Sequence, residues 1–348
     1  MEKGVEVRII DKEALLSKQS LSRGSIAVLA MDNPEYEDLS ETVNSIASDL
    51  DISVLSIESG FGAEELPDWG GRHFRLLERP QIAILSQSGF SSYDVGVSWW
   101  SLDHHLGIRH SQIDASLVNY ADLRRYNTII LPSGYRDMGE YEKKVLSDWM
   151  EQGGTLIAHA ASSSALASEQ GIGSVKLLQN TFEESEKYNI SLQRELSALY
   201  EELDIESVNS NKVDLDTAYP WEQSEGKYPP SQLEYRDNWQ SIFMPSGAFV
   251  SGRTDQEHWL TFGTNSTLPL LYRSYPVLMS DDSSEAPIRV GVFSDSAKAN
   301  TYSTINWSDI PPGKELNVRM SGLLWPEAAQ RIANSAYLTR DRIGKGQL

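Results

Sequence analysis

Two short stretches hold residues whose types and spacing could do chemistry. The first reads SQSGFSS and supplies the hydroxyls of Ser86, Ser88, Ser91 and Ser92 around Gly89. Hydroxyls, backbone N–H groups and the N-terminus of a following helix would together favour a phosphate. A serine-rich helix cap accounts for the same letters. The second stretch reads HAASSS and follows an apolar run. There Ser162 or Ser163 is a candidate nucleophile with His159 as its base, since a strand–turn–helix is how hydrolases expose such a group. The turn has neither GxSxG glycines nor a cysteine, and a helix cap again competes. The remaining histidines are His73, His104, His105, His110 and His258, and none begins HxxE or HExxH. The usual short zinc-site seeds are therefore absent, and the chain holds no predicted metal ligand set.

Both stretches need strands to position them. The apolar runs Ile82–Leu85, Thr128–Leu131 and Thr155–Ala158 are each short and followed by a turn and a helical pattern. Continuous apolar runs suit strands buried on both faces, and strands alternating with helices predict an α/β, doubly wound, flavodoxin-like sheet. Ligands bind such sheets at the carboxyl ends of the strands. Those ends are Ser86–Ser92, Pro132–Arg136 and His159–Ser164, and the first and last are predicted to converge on one cleft. SQSGFS also resembles the phosphate loop of flavodoxins, which would make a flavin or another phosphate compound its ligand.

Further elements follow from pattern. Residues 1–78 read as a small α/β unit: strands at 5–10, 24–30 and 52–57, and a helix capped by Asn33 with Leu39, Val43, Ile46 and Leu50 on one face. Residues 59–72 read as a glycine-rich connector without the GK[ST] of a phosphate-binding P-loop. Residues 79–348 form the second domain. Ser92 is the predicted cap of a helix that turns Val95, Trp99, Leu102 and Leu106 inward. A strand is predicted over 112–118. Tyr141, Val145 and Trp149 should face inward on the next helix, which stops at Gly153 and Gly154. Thr181 and Glu184 read as a capping box opening a polar helix to about Leu203. Residues from about 175 to 245 read as an acidic insertion, a binding loop or simply a mobile one. Regular structure resumes at 247–252, 258–263, 276–279 and 288–294, with a helix over 326–337 and a turn into a strand at the final GKGQL.

Charge narrows the partners. The 348 residues carry a net charge of −20, and residues 181–240 hold 14 acidic and 5 basic residues. That balance disfavours nucleic acid or an anionic membrane surface. There is no cysteine, which removes disulfides, thiolate nucleophiles and cysteine-bound metals. No apolar run reaches the roughly 20 residues of a membrane span, and the first residues lack a signal-peptide core.

The succession GSIAVLA, RPQIAIL, VSWWSLDHHLGI, YNTIILPSG, LSDWMEQGGTLIA, EHWLTFG and SGLLWPEAAQRIANSAYLTRDRIGKGQ resembles the C-terminal region of large bacterial zinc carboxypeptidases, relatives of carboxypeptidase A. That region is similar to class I glutamine amidotransferase domains, and the resemblance spans roughly residues 20–348. It implies an amidotransferase-like fold and an accessory, non-catalytic role. Zinc, the peptidase activity and the peptide substrate would belong to an upstream peptidase domain, the partner of this chain. A periplasmic or extracellular location would follow. The amidotransferase cysteine is absent from the turn at His159–Ser164, so no catalytic residue carries over. The other readings are a stand-alone module binding phosphate, flavin or another small ligand, and a serine hydrolase.

Overall fold

A computed structural model describes residues 4–62, 67–135, 137–200, 228–274, 276–296 and 303–348. The chain divides into two compact units, Met1–Arg79 and Pro80–Leu348.

The first unit is mainly antiparallel. Strand β1 (Arg8–Ile10) lies between β4 (Ile26–Ala27) and β5 (Phe74–Leu76), and β2 (Ala14–Leu16) and β3 (Gln19–Leu21) form a separate hairpin. Ile10, Ala14, Leu16, Ala27 and Phe74 make its core. Helix α1 is Leu39–Asp49 and is capped by Asp38, whose carboxylate accepts the Glu41 N–H at 3.0 Å. Asn33, the predicted cap, is instead buried as a clamp. Its Oδ1 accepts the Glu6 N–H at 2.7 Å, and its Nδ2 donates to the carbonyls of Glu6 and Leu29. No strand forms over 52–57, where Ile52, Val54 and Leu55 are exposed.

The second unit holds the predicted parallel sheet. Its strands are β6 (Ile82–Ser86), β7 (His110–Asp114), β8 (Thr128–Leu131) and β9 (Thr155–Ala158). They lie in the order β9-β8-β6-β7, all parallel. Alternate residues leave the two faces. Ala83, Leu85, Ile129, Leu131 and Leu156 pack with Leu146, Trp149 and Met150 of helix α3 (Glu140–Glu151) and with Leu166 of helix α4 (Ala161–Leu166). Ile82, Ile84 and Ile130 pack with Val95 of helix α2 (Ser92–Trp100) and with Leu102. That second face is uncovered over β9, where Ile157 is 39% exposed.

Past β9 the winding stops. Strand β10 (Lys176–Leu177), helix α5 (Ser185–Tyr200) and helix α6 (Pro230–Ser241) lead into an antiparallel sheet. Its further strands are β11 (Ala248–Thr254), β12 (Thr267–Tyr272), β13 (Leu278–Met279) and β14 (Glu285–Val290). Two hairpin-like pairs stand beside it: β15 (Val292–Asp295) with β18 (Lys314–Asn317), and β16 (Ser303–Ile305) with β17 (Ser308–Ile310). After β19 (Arg319–Ser321) and helix α7 (Pro326–Ile332), strand β20 (Ala336–Arg340) enters the middle of the sheet. The order is β10-β13-β20-β14-β11-β12, with β19 also pairing β11. The chain closes with the hairpin β21 (Arg342–Ile343) and β22 (Gly346–Gln347). Gln347 pairs in parallel with Thr155, so the last strand extends the β6–β9 sheet.

Several expectations differ here. Trp99 is 39% exposed and Leu106 62% exposed. The helix after Trp100 continues as one π turn, Ser101–His105, closed by the Leu106 N–H on the Ser101 carbonyl. One extra residue per turn rotates Leu106 off the buried stripe. Tyr141 is exposed, while Trp149 is buried and donates its Nε1–H to the carbonyls of Leu123 and Tyr126. The strand expected at 112–118 ends at Asp114 and becomes a 3-10 turn, and residues 259–261 are a 3-10 turn rather than a strand. The helix over 326–337 ends at Ile332 because its last residues belong to β20. Thr181 does not cap α5; its hydroxyl donates to the Leu178 carbonyl.

The flanks of the acidic segment are structural. β10 is paired in the sheet, and Tyr188, Leu192 and Leu196 of α5 bury one face in the largest core cluster, together with Leu233 of α6. Residues 201–227 lie outside the described residues.

Candidate functional site

The carboxyl ends of β6, β8 and β9 face the same way because the strands are parallel, and in the order β9-β8-β6-β7 the chain reverses direction between β6 and β8. That is the switch point where open α/β sheets hold ligands. Backbone contacts draw the loops together. The Ser91 N–H donates to the Ser133 carbonyl at 2.9 Å, and Phe90 and Gly134 form an antiparallel bridge. A Cβ on Gly134 would lie 2.7 Å from the Gly89 carbonyl oxygen, so only glycine fits there. From the β9 side, the His159 N–H donates to the Leu131 carbonyl, and the Ser162 hydroxyl donates to the Pro132 carbonyl.

The hydroxyls predicted to bind are committed within the fold. Ser86 is buried and donates to the Ile113 carbonyl. Ser88 donates to Asp114 Oδ1 at 3.0 Å, an oxygen that also accepts from the Ser116 N–H and hydroxyl. A carboxylate beside this loop opposes a phosphate. Gln87, Ser88 and Gly89 are three consecutive residues with positive φ, at 58°, 44° and 101°. Ser91, not Ser92, caps α2 by accepting the Asp94 N–H, and Ser92 is the first helical residue.

The β9 turn has the geometry of a strand-to-helix elbow. Ala160 sits at its apex with φ 50° and ψ −117°. A non-glycine residue held in such a conformation costs about 1–3 kcal/mol and marks a functional or inherited constraint. Nucleophiles occupy this apex in enzymes built on such turns, and here the apex carries a methyl group. Ser162 and Ser163 lie one turn later, inside α4. Ser162 is buried against Pro132, and Ser163 donates to the Ala160 carbonyl at 2.6 Å. Neither hydroxyl points from the apex, and neither has His159 as its partner.

His159 is the titratable side chain of the turn itself. It is exposed at the carboxyl end of β9. Desolvation lowers its pKa from the ordinary 6.5, and the charge of Asp94 opposes that shift. Asp94, in the first turn of α2, was not singled out from the sequence, although an acid three residues after a serine cap is a readable signal. The arrangement can bind and can move a proton through His159, but it presents no nucleophile. Among the described residues, no group of three His, Asp or Glu side chains is placed to hold a metal. No described helix is long and apolar enough to cross a membrane. Arg136 lies outside the described residues.

No known protein family matches the chain, and no curated protein matches it. Among solved structures, a ThuA-like protein from Bacteroides uniformis ATCC 8492 is similar over 63% of this chain and 71% of its own. The identity is 13% and the TM-score 0.29. At that level the fold assignment rests on strand order and direction: a mixed α/β chain with a parallel sheet flanked by helices, and a large antiparallel sheet added to it.

Proposed function

We propose that residues 80–348 form a non-catalytic, amidotransferase-like module. The observation that carries this reading is Ala160 at the apex of the β9 elbow, in a backbone conformation suited to a nucleophile and with a side chain that cannot act as one. The commitment of Ser162 and Ser163 to backbone carbonyls argues against a serine hydrolase. The sequence resemblance supports a finer reading. The module accompanies a zinc carboxypeptidase-like protein, with zinc, peptidase activity and peptide substrate in an upstream domain, in the periplasm or outside the cell. Assays of the purified chain on glutamine and on peptides with free C-terminal residues test both levels. No turnover is expected from this chain, and metal-dependent release of C-terminal residues is expected from the longer gene product. Such release by residues 1–348 themselves would overturn the reading.

A ligand-binding role for the strand ends is the second reading, favoured by the backbone contacts that bring the loops after β6, β8 and β9 together at the switch point. The carboxylate of Asp114 against Ser88 directs that reading away from phosphate or flavin and toward uncharged ligands.

A further inference from the structure

His258 lies in the antiparallel half of the second unit and puts both of its ring nitrogens to use. It precedes the 3-10 turn Trp259–Thr261 and caps it: the Leu260 N–H donates to Nδ1 at 3.1 Å. A backbone N–H can only donate, so Nδ1 carries no proton. The ring is therefore neutral, with its proton on Nε2, and that N–H donates to Glu285 Oε2 at 3.0 Å. The side chain is 11% exposed. Serine, threonine, aspartate and asparagine are the preferred caps, and their oxygens accept throughout the neutral range. An imidazole nitrogen accepts only while it is unprotonated.

The charges around the ring come from several elements. Glu285 on β14 also accepts from Arg340 Nη1 on β20 at 2.6 Å and, through Oε1, from Arg342 Nη2 on β21 at 3.1 Å. Asp255 and Glu257 belong to the same loop as His258, and the Asp255 carboxylate accepts the Glu257 N–H. Glu285 attracts a proton to the ring and the two guanidinium groups oppose one. Glu285 also holds the ring in either charge state, because Nε2 carries a proton in both. A second proton can enter only at Nδ1. There it faces the Leu260 N–H, donor against donor, and the cap bond is lost. The other holds on the turn do not titrate with the ring: the Thr261 hydroxyl reaches the carbonyls of Asp255 and His258, and the Thr261 N–H donates to the His258 carbonyl. Protonation thus loosens the turn without dismantling it. Trp259, Leu260 and the following Phe262 are exposed apolar side chains. The Trp259 ring lies 5.9 Å from the His258 ring and 5.5 Å from the Arg340 guanidinium. We propose that His258 is a proton-operated cap, which orders this apolar turn near neutral pH and releases it in acid.

Amide exchange and nitrogen NMR on the full chain test the cap. At a pH of about 7.5 the ring shifts should report His258 as the Nε2–H tautomer. From about pH 7.5 to about pH 5, the range in which histidines change charge, protection of the Leu260 amide should fall. After correction for the intrinsic exchange rate the fall should be about fivefold or more, the worth of one hydrogen bond. The Val290 amide, which donates to the Ser335 carbonyl, should keep its protection. His258→Asn offers an amide oxygen that accepts at both pH values, so Leu260 protection should lose its pH dependence. An Nδ1–H tautomer near neutral pH, unchanged Leu260 protection in acid, a matching loss at Val290, or an equal fall in His258→Asn would overturn the proposal.

Discussion

The two sheets of the second unit differ in the buried polar contacts they hold. In the parallel sheet, polar side chains near the core end on backbone carbonyls: Ser86 on Ile113, Ser162 on Pro132, Trp149 on Leu123. In the antiparallel half, the core admits charge. Arg331 pairs with Asp237 between α7 and α6, and Arg289 pairs with Glu195. Asn306 and Trp307 keep atoms with no partner at all. The first region holds a strand-to-helix elbow whose serine hydroxyls are taken up by backbone carbonyls. The second holds buried ion pairs and buried polar atoms without partners. A turn's shape and a site's reactivity are thus separable, and a family-like fold is a poor guide to where this chain would bind anything.

The sharpest way to break the comparison is the buried ion pair. Arg331 Nε lies 2.7 Å from Asp237 Oδ1, and both side chains are nearly closed to water. Asp237→Ala leaves a buried guanidinium uncompensated and should destabilise the chain by about 3–5 kcal/mol in urea denaturation. The exposed pair Arg124–Asp122 should show no measurable change when Arg124→Ala breaks it. In the parallel half, Gly134→Ala drives a Cβ onto the Gly89 carbonyl and the Phe90 backbone. A loss of about 1–3 kcal/mol is expected, with the β6 and β8 loops pushed apart. Ala160→Gly acts in the other direction. Glycine holds the left-handed apex without a Cβ clash, so stability should rise by about 1 kcal/mol. A destabilised Ala160→Gly chain would mean that the apex methyl is needed for packing.

Two pH effects sharpen the contrast at smaller scale. Burial would raise the pKa of Glu285, but hydrogen bonds from His258 and Arg340 outweigh it and bring the carboxyl down to about 2. A depressed carboxyl stabilises the fold above its unfolded value and loses that contribution as pH falls toward 2. Glu285→Gln should therefore flatten acid unfolding below pH 4.5. His159 has the opposite sense, since its proton is disfavoured in the folded state. The unfolded chain binds more protons just below pH 6.5, so stability should rise with pH up to about that point. His159→Gln should remove that shallow slope, read from melting temperatures between pH 5 and 7, and because the ring meets water the effect will be the smallest of these.

How much of this was legible depends on what residue letters record. The runs at Ile82, Thr128 and Thr155 gave their strands within a residue, because continuous apolar stretches need burial on both faces. The apolar run at 52–57 shows the limit: it has the composition of a strand but forms none, and Ile52, Val54 and Leu55 are exposed. Leu106 was misplaced because a single π turn resets the helical phase, which spacing cannot show. At the elbow, three serines drew attention, while the apex belongs to Ala160, which has no chemical signature and whose φ is invisible in sequence. Asn306 was unreadable for a further reason. An asparagine in a hairpin turn is ordinary, and only the structure shows that this turn is buried.

The central claim is that the β9 elbow presents no nucleophile. Treating the folded chain with a fluorophosphonate ester and mapping adducts by mass spectrometry tests it most directly. With Ser162 and Ser163 held on backbone carbonyls and Ala160 at the apex, the account predicts no adduct anywhere on residues 159–164. A stoichiometric adduct on Ser162 or Ser163, lost in His159→Gln, would contradict it.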